Sequence, residues 1–232
     1  MGLFKIIKTG HVVEIYEFER MPCKRGGGRG QQSERWEMYR VWNGKRVRDR
    51  VRRLVTANFG PGDKFITLTF RDGSVYDLTD VQLCYKMLDR FLKRLKRRFP
   101  DVKAVIVPEF QDKHGRGAVH YHMICNLSYI PHKDLEALWG CGFVGINCID
   151  HVDNIGAYVV KYMSKSSSDR RLKGLKSYYR VGKLKEPDVN WTDDPAEVKG
   201  EIGNASPVFQ SQYGDDYHGR ILYSQYNTMR KD

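Results

Sequence analysis

Two histidines, His120 and His122, interrupt the otherwise apolar run AVHYHMICNL at residues 118–127. Side chains alternate along a strand, so both imidazoles point to one face and Tyr121 to the other. Two imidazole nitrogens held side by side form a metal-binding pair. Just upstream, KAVIVPEFQ reads as a second strand, and DKHGRG as the glycine-bearing hairpin turn between them. Folding about Gly115–Arg116 places Glu109 opposite His122 and Gln111 opposite His120, and residues paired in this way can touch. A carboxylate from Glu109 then joins the imidazoles, with Gln111 as a possible ligand or support. This mixed nitrogen and oxygen set suits Mg, Mn or another divalent ion and leaves positions for water or substrate oxygens. A lone histidine would read as an ordinary half-buried strand residue; two in register with a carboxylate across the hairpin favour a metal.

A second constellation lies downstream in YVVKYMSK, residues 158–165. Tyr158 and Tyr162 are four apart, as are Lys161 and Lys165, so each pair stacks along one side of a helix. The result is two overlapping Tyr-x-x-Lys units. A phenol with its ordinary pKa of about 10 needs help before it attacks anything. A neighbouring lysine or metal supplies positive charge that stabilises a phenolate, or the charge developing on a phosphate. By itself this segment reads first as an amphipathic helix with tyrosines packed on a sheet; beside a His pair in a basic protein it reads as a nucleophile helix.

The elements that must position these residues alternate along the chain. Residues 22–33 (PCKRGGGRGQQS) are a glycine-rich loop or tail carrying Lys24, Arg25 and Arg29. A basic helix is expected from about Arg46 to Asn58, with Val47, Val51, Leu54 and Val55 inward and Arg48, Arg50, Arg52 and Arg53 mostly elsewhere. KFITLTF is a strand by its β-branched and aromatic content. LTDVQLCYKMLDRFLKRLKRRFP is the best helix of the chain, capped by Thr79 or Asp80 and closed by a cationic last turn that suits its dipole. PHKDLEALWG is a short helix, GFVGINCID a strand, and DNIGAYVVKYMSK a helix with Asp153 as cap. From Ser166 onward the chain is polar and broken, with short strands expected at SYYRV and RILYSQY. The hairpin forces antiparallel pairing, so the fold class is α+β, a central antiparallel sheet of about five strands covered by helices. The expected divisions are a basic N-terminal segment over 1–59, the site-bearing domain over 60–185, and a C-terminal extension over 186–232.

Composition narrows the partners. Forty Lys+Arg against twenty-eight Asp+Glu give the 232-residue chain a net charge of +12, which favours nucleic acid first and anionic membrane second. No apolar run is long enough for a membrane span, and the N-terminus lacks a signal-peptide core. The five cysteines show no CxxC pairing and fit a reducing cytoplasm better than a disulfide framework or zinc knuckle.

Taken together, FITLTF, HYH and YVVKYMSK, in that order, resemble the three motifs of the HUH endonuclease superfamily, named for His–hydrophobic–His. The likeness spans about residues 54–165 and is greatest to rolling-circle replication initiators of phages and plasmids, whose tyrosine follows the histidines. It implies an HUH, ferredoxin-like sheet topology and a site-specific single-stranded DNA nickase–ligase. Metal bound by Glu109, His120 and His122 would polarise the scissile phosphate. Tyr158 or Tyr162 would attack it, assisted by Lys161 and Lys165, leaving a 5′-phosphotyrosine link and a free 3′-hydroxyl. Two tyrosines resemble the two-tyrosine phage initiators. Origin DNA, a host helicase and a host polymerase are the implied partners, with no membrane. Arg48, Arg52, Arg53, Arg94, Arg97, Arg98 and Arg116 are candidate phosphate contacts. Rival readings are an HUH single-strand transposase and a non-catalytic DNA-binding repressor on a similar scaffold.

Overall fold

A computed structural model describes residues 2–20, 34–73, 77–112, 117–149, 155–162, 169–172, 174–215 and 219–229. In chain order its elements begin with β1 (Leu3–Thr9), β2 (Val12–Phe18), α1 (Glu34–Asn58), β3 (Lys64–Thr69) and α2 (Val81–Arg98). Then come β4 (Ala104–Phe110), β5 (Val119–Cys125), α3 (His132–Trp139), β6 (Val144–Cys148) and α4 (Ile155–Lys161). A 3₁₀ turn at Arg170–Leu172 leads to β7 (Tyr179–Val181), β8 (Asp188–Thr192), α5 (Pro195–Ile202), β9 (Pro207–Asp215) and β10 (Gly219–Asn227). The fold is α+β, and the strands form two antiparallel five-stranded sheets.

The chain divides into two compact units, 32–185 and 1–31 with 186–232. Helix α1 therefore belongs with the site-bearing unit, while the first strands join the C-terminal ones instead of forming a segment with α1. In the 32–185 unit the sheet order is β6-β3-β5-β4-β7. Alternation sends Ile66, Leu68, Ile106, Tyr121 and Met123 to one face, where they pack with Leu88, Phe91 and Leu95 of α2 and Leu135 and Trp139 of α3. Phe65, Val105, Val107 and Ile124 go to the other face, against Val51, Leu54 and Val55 of α1 and Ile155 and Val159 of α4. A sheet buried on both faces explains why β4 and β5 read as nearly continuous apolar runs.

Local chemistry sets the helix limits. Asp80 accepts hydrogen bonds from the Gln82 and Leu83 N–H groups at 2.9 and 3.1 Å and so caps α2, whose cationic last turn holds Lys96, Arg97 and Arg98. Fully burying a side chain such as Leu88 on this stripe contributes roughly 1.5–3 kcal/mol. Helix α3 ends at Gly140, held at φ +67°, a left-handed conformation that suits glycine. Its last carbonyls accept from Arg94, whose guanidinium reaches Leu138 O at 2.7 and 2.9 Å and Trp139 O at 3.1 Å. Trp139 Nε1 in turn donates to Thr69 O at 3.0 Å.

The other unit has sheet order β8-β1-β2-β10-β9. β1 and β2 form a tight hairpin through Gly10, at φ +59°, and His11, closed by the Thr9–Val12 pair. Helix α5, capped by Asp194, packs Val198 and Ile202 against Ile6, Val13 and Ile15. Among the described residues no helix is long and apolar enough to cross a membrane.

Candidate active site

The hairpin of β4 and β5 pairs Glu109 with His120 and Val107 with His122, two residues out of the register expected from sequence. The Gln111 N–H donates to Ala118 O at 2.9 Å, and the Gly117 N–H donates back to Gln111 O at 3.0 Å. Gly117 adopts φ +60°, so the chain re-enters the ladder one pair earlier than a turn about Gly115–Arg116 would allow. Gln111 accordingly faces Ala118, not His120. A slip of two leaves every side chain on its original face, so Glu109, His120 and His122 still share the α1/α4 side of the sheet.

On that face His122 is the centre. It is 5% exposed, and its Nε2 lies 2.7 Å from Glu109 Oε2, a carboxylate–imidazole pair. Its Nδ1 lies 3.2 Å from Thr67 Oγ1 on β3, the residue directly across the ladder. Phe65 stacks against the imidazole at 5.7 Å and 15°, and Tyr162 covers it at 4.1 Å. His120 sits one pair along, between Thr69 of β3 and Glu109 of β4, with its Nε2 buried.

Helix α4 brings up the tyrosines. It lies close against α1 because residue 156 is glycine: a β-carbon there would run into the Arg52 carbonyl oxygen and sit 2.5 Å from Thr56 Oγ1. Tyr158 falls on the helix, and Tyr162 in the turn after it, bonded through its N–H to Val159 O at 3.2 Å. The Tyr162 hydroxyl donates to the Tyr158 hydroxyl at 3.0 Å, and both rings pack on Phe65 at 5.3 Å. Burial, helped by the Tyr158 hydrogen bond and the nearby Glu109 charge, pushes the Tyr162 phenol up to about 12. Lys161 Nζ stands 5.8 Å from the Tyr158 ring.

The structure thus brings Glu109, His122, Tyr158 and Tyr162 into one cluster, with His120 on the same face and Lys161 beside Tyr158. Lys165 and Arg116 lie outside the described residues, as do His114, Asp153 and the tip of the β4–β5 turn. Among the described residues no three His, Cys, Asp or Glu side chains stand together as a ready-made metal site. The donor chemistry nonetheless fits a divalent cation, since a carboxylate oxygen and an imidazole nitrogen already converge and a second imidazole shares their face. Phe65 and Thr67 are the site residues that motif reading passed over. The signal was present, because alternation along FITLTF sends 65, 67 and 69 to one side.

The candidate DNA-contacting arginines divide. Arg94 is engaged by the α3 carbonyls, and Arg98 pairs with Asp134 at 2.8 Å, which gives both a structural use. Arg97 is exposed on α2. Arg52 lies 3.8 Å from Asp49, and its own carbonyl accepts from Thr56 Oγ1 at 2.9 Å; Arg48 and Arg53 lie on α1 beside it. The charge is confined to one unit. Residues 32–185 hold thirty Lys+Arg against sixteen Asp+Glu, and the remaining residues hold ten against twelve. The whole excess of positive charge therefore travels with the His–Glu–Tyr cluster.

Residues 63–167 match the family model described as Replication-associated protein ORF2/G2P. The match runs from just before β3 to beyond α4 and takes in every residue of the cluster. It supports a role in DNA replication, as an initiator. No curated protein and no solved structure matches the chain.

Proposed function

We propose that the protein initiates rolling-circle replication by nicking single-stranded origin DNA through a tyrosine of α4. The observation that carries this reading is the stacking of Tyr162, hydrogen-bonded to Tyr158, on an imidazole already paired with a carboxylate. Nucleophile candidates and electrophile-binding groups then lie within one side-chain layer, as in-line phosphoryl transfer requires. Glu109, His120 and His122 would hold Mg or Mn, which when bound supplies Lewis-acid charge at the scissile phosphate.

The chain's own residues perform the rest. Phe65 and Tyr162 pack against the His122 ring and against each other, and keep bulk water from it. One phenol oxygen, of Tyr158 or Tyr162, bonds to phosphorus while the bond to the 3′ oxygen breaks. The phenolic proton passes to water, and the 3′ oxygen takes a proton from water and departs as a hydroxyl. The neighbouring phenol donates a hydrogen bond that stabilises the attacking oxygen as it gains negative charge, and Lys161 and Lys165 add positive charge. The 5′-phosphotyrosine link keeps the phosphodiester energy, so a later 3′-hydroxyl can reverse the step and close a circle. Host helicase and polymerase would open the duplex and extend the freed 3′ end, in the cytoplasm.

The test is cleavage of origin single strands with Mn or Mg, on denaturing gels that retain protein–DNA adducts. Wild type is compared with Tyr158→Phe, Tyr162→Phe, both together, and His120→Ala. Metal-dependent adducts absent from the double variant are expected. Tight binding with no adduct would overturn the nuclease reading in favour of a repressor.

A further inference from the structure

Thr67 stands directly across the ladder from His122, with its hydroxyl 3.2 Å from Nδ1, while Nε2 faces Glu109 at 2.7 Å. A neutral imidazole carries one N–H and one lone pair, so these two contacts cannot be set independently. If Nε2 bears the proton, it donates to Glu109, and Nδ1 accepts from the threonine hydroxyl. If Nδ1 bears it, the threonine oxygen must accept, and the Nε2 lone pair then faces the Glu109 carboxylate, a repulsion that a cation held by both would relieve. A hydroxyl serves either arrangement by rotating; an acceptor-only or donor-only group would serve one.

We infer that Thr67 is a positioning residue that sets the tautomer of His122, accepting its Nδ1–H so that Nε2 can ligate a divalent cation together with Glu109. The inference rests on the metal reading above and deepens it. Ring reorientation offers no other route, because a half-turn of the imidazole would put carbon where Nδ1 meets Thr67 and where Nε2 meets Glu109. Ligand histidines generally need such a partner on the far nitrogen, and loss of that partner weakens metal binding. Valine at 67 keeps the branched shape suited to a strand but cannot accept. The His122 proton then stays on Nε2, held by Glu109, where it blocks the cation.

The experiment uses the full chain. Mn²⁺ affinity is read from the loss of the free-ion electron paramagnetic resonance signal for wild type, Thr67→Val, Thr67→Ser and His122→Ala. The His122 tautomer of the metal-free proteins is read from ¹⁵N imidazole shifts. Thr67→Val should bind Mn²⁺ roughly 10- to 100-fold more weakly and show Nε2–H alone, while Thr67→Ser, which restores the hydroxyl, stays near wild type. Should the valine variant fail to fold, Thr67→Ala removes the same hydroxyl and replaces it in the comparison. If His122→Ala abolishes binding but the hydroxyl-free variant binds as tightly as wild type, the role of Thr67 is overturned and the metal site survives. A serine variant as weak as valine also overturns it, since shape and not the hydroxyl would then matter. Wild type that binds no Mn²⁺, or binds it equally without His122, overturns both readings.

Discussion

Gly156 is the point at which α4, and with it both tyrosines, is seated on α1. A methyl group there collides with the Arg52 carbonyl oxygen and lies 3.0 Å from the carbonyl carbon and 2.5 Å from Thr56 Oγ1. Two of these three atoms are backbone in the middle of a helix, so the clash is relieved only by moving α4, by roughly 1 Å. Overpacking of this kind costs about 1–3 kcal/mol of stability. A helix of seven residues yields easily, so Gly156→Ala should fall at the low end and remain folded. A displacement of that size at the reacting groups costs on the order of 100-fold in rate. The expected result is a small drop in melting temperature with a far larger drop in single-turnover nicking of origin DNA. The double variant Gly156→Ala/Thr56→Ala should not recover the rate, because the Arg52 carbonyl remains. A folded Gly156→Ala protein that forms adducts at the wild-type rate would refute the claim that helix approach at 156 sets the tyrosine position.

Tyr121, the residue between the two histidines, is fully buried on the opposite face, and its hydroxyl finds no hydrogen-bond partner among the described residues. Tyr121→Phe should therefore stabilise the fold, by about 1 kcal/mol in denaturant titration, without changing nicking. Arg97 and Arg94 should separate binding from folding. Arg97→Ala should lower the salt slope of single-strand binding by roughly 0.7 and leave melting unchanged, whereas Arg94→Ala should lower melting by loosening α3. Tyr162, held at about 12, and Tyr179, raised to about 12 chiefly by burial, stay protonated in the folded state above the pH at which unfolded tyrosines ionise, near 10. The unfolded state then binds fewer protons, so stability should fall from about pH 10 to 12. Chemical denaturation across that range, with phenolate absorbance followed in parallel, reads this directly, and flat stability would contradict it.

Much of the 32–185 unit was legible because its signals are local. The α2 stripe, the Asp80 cap and the β-branched strands fall where periodicity and capping place them. Other features were harder to read. Helix α1 begins at Glu34, well before the apolar spacing becomes regular near Arg46. The first two strands were not read as strands. LFKIIKT and VVEIYEF carry charge inside short apolar runs, and they are completed by β8 and by β10, which arrives about two hundred residues later. Long-range pairing of that kind leaves no periodic trace in either partner. The structural use of Arg94 left no trace for a related reason, since its acceptors are carbonyls more than forty residues away.

The hairpin register shows why Glu109, His120 and His122 share a face despite a shift in pairing. The pairing is shifted by two, and the period of a strand is also two, so the face carrying these residues is unchanged while the partners along it are exchanged. That exchange has a chemical consequence. With Glu109 directly across from His120, its carboxylate reaches diagonally to His122 Nε2. A single carboxylate placed in this way can serve both histidines by a modest swing of its side chain. The direct across-strand placement expected from sequence would have tied it to His122 alone. Glu109→Asp, one methylene shorter, tests the point: it should keep the fold and lose much of the Mn²⁺ affinity, because the diagonal reach is lost while the charge remains. Wild-type affinity in that variant would mean that Glu109 does not act through the diagonal contact.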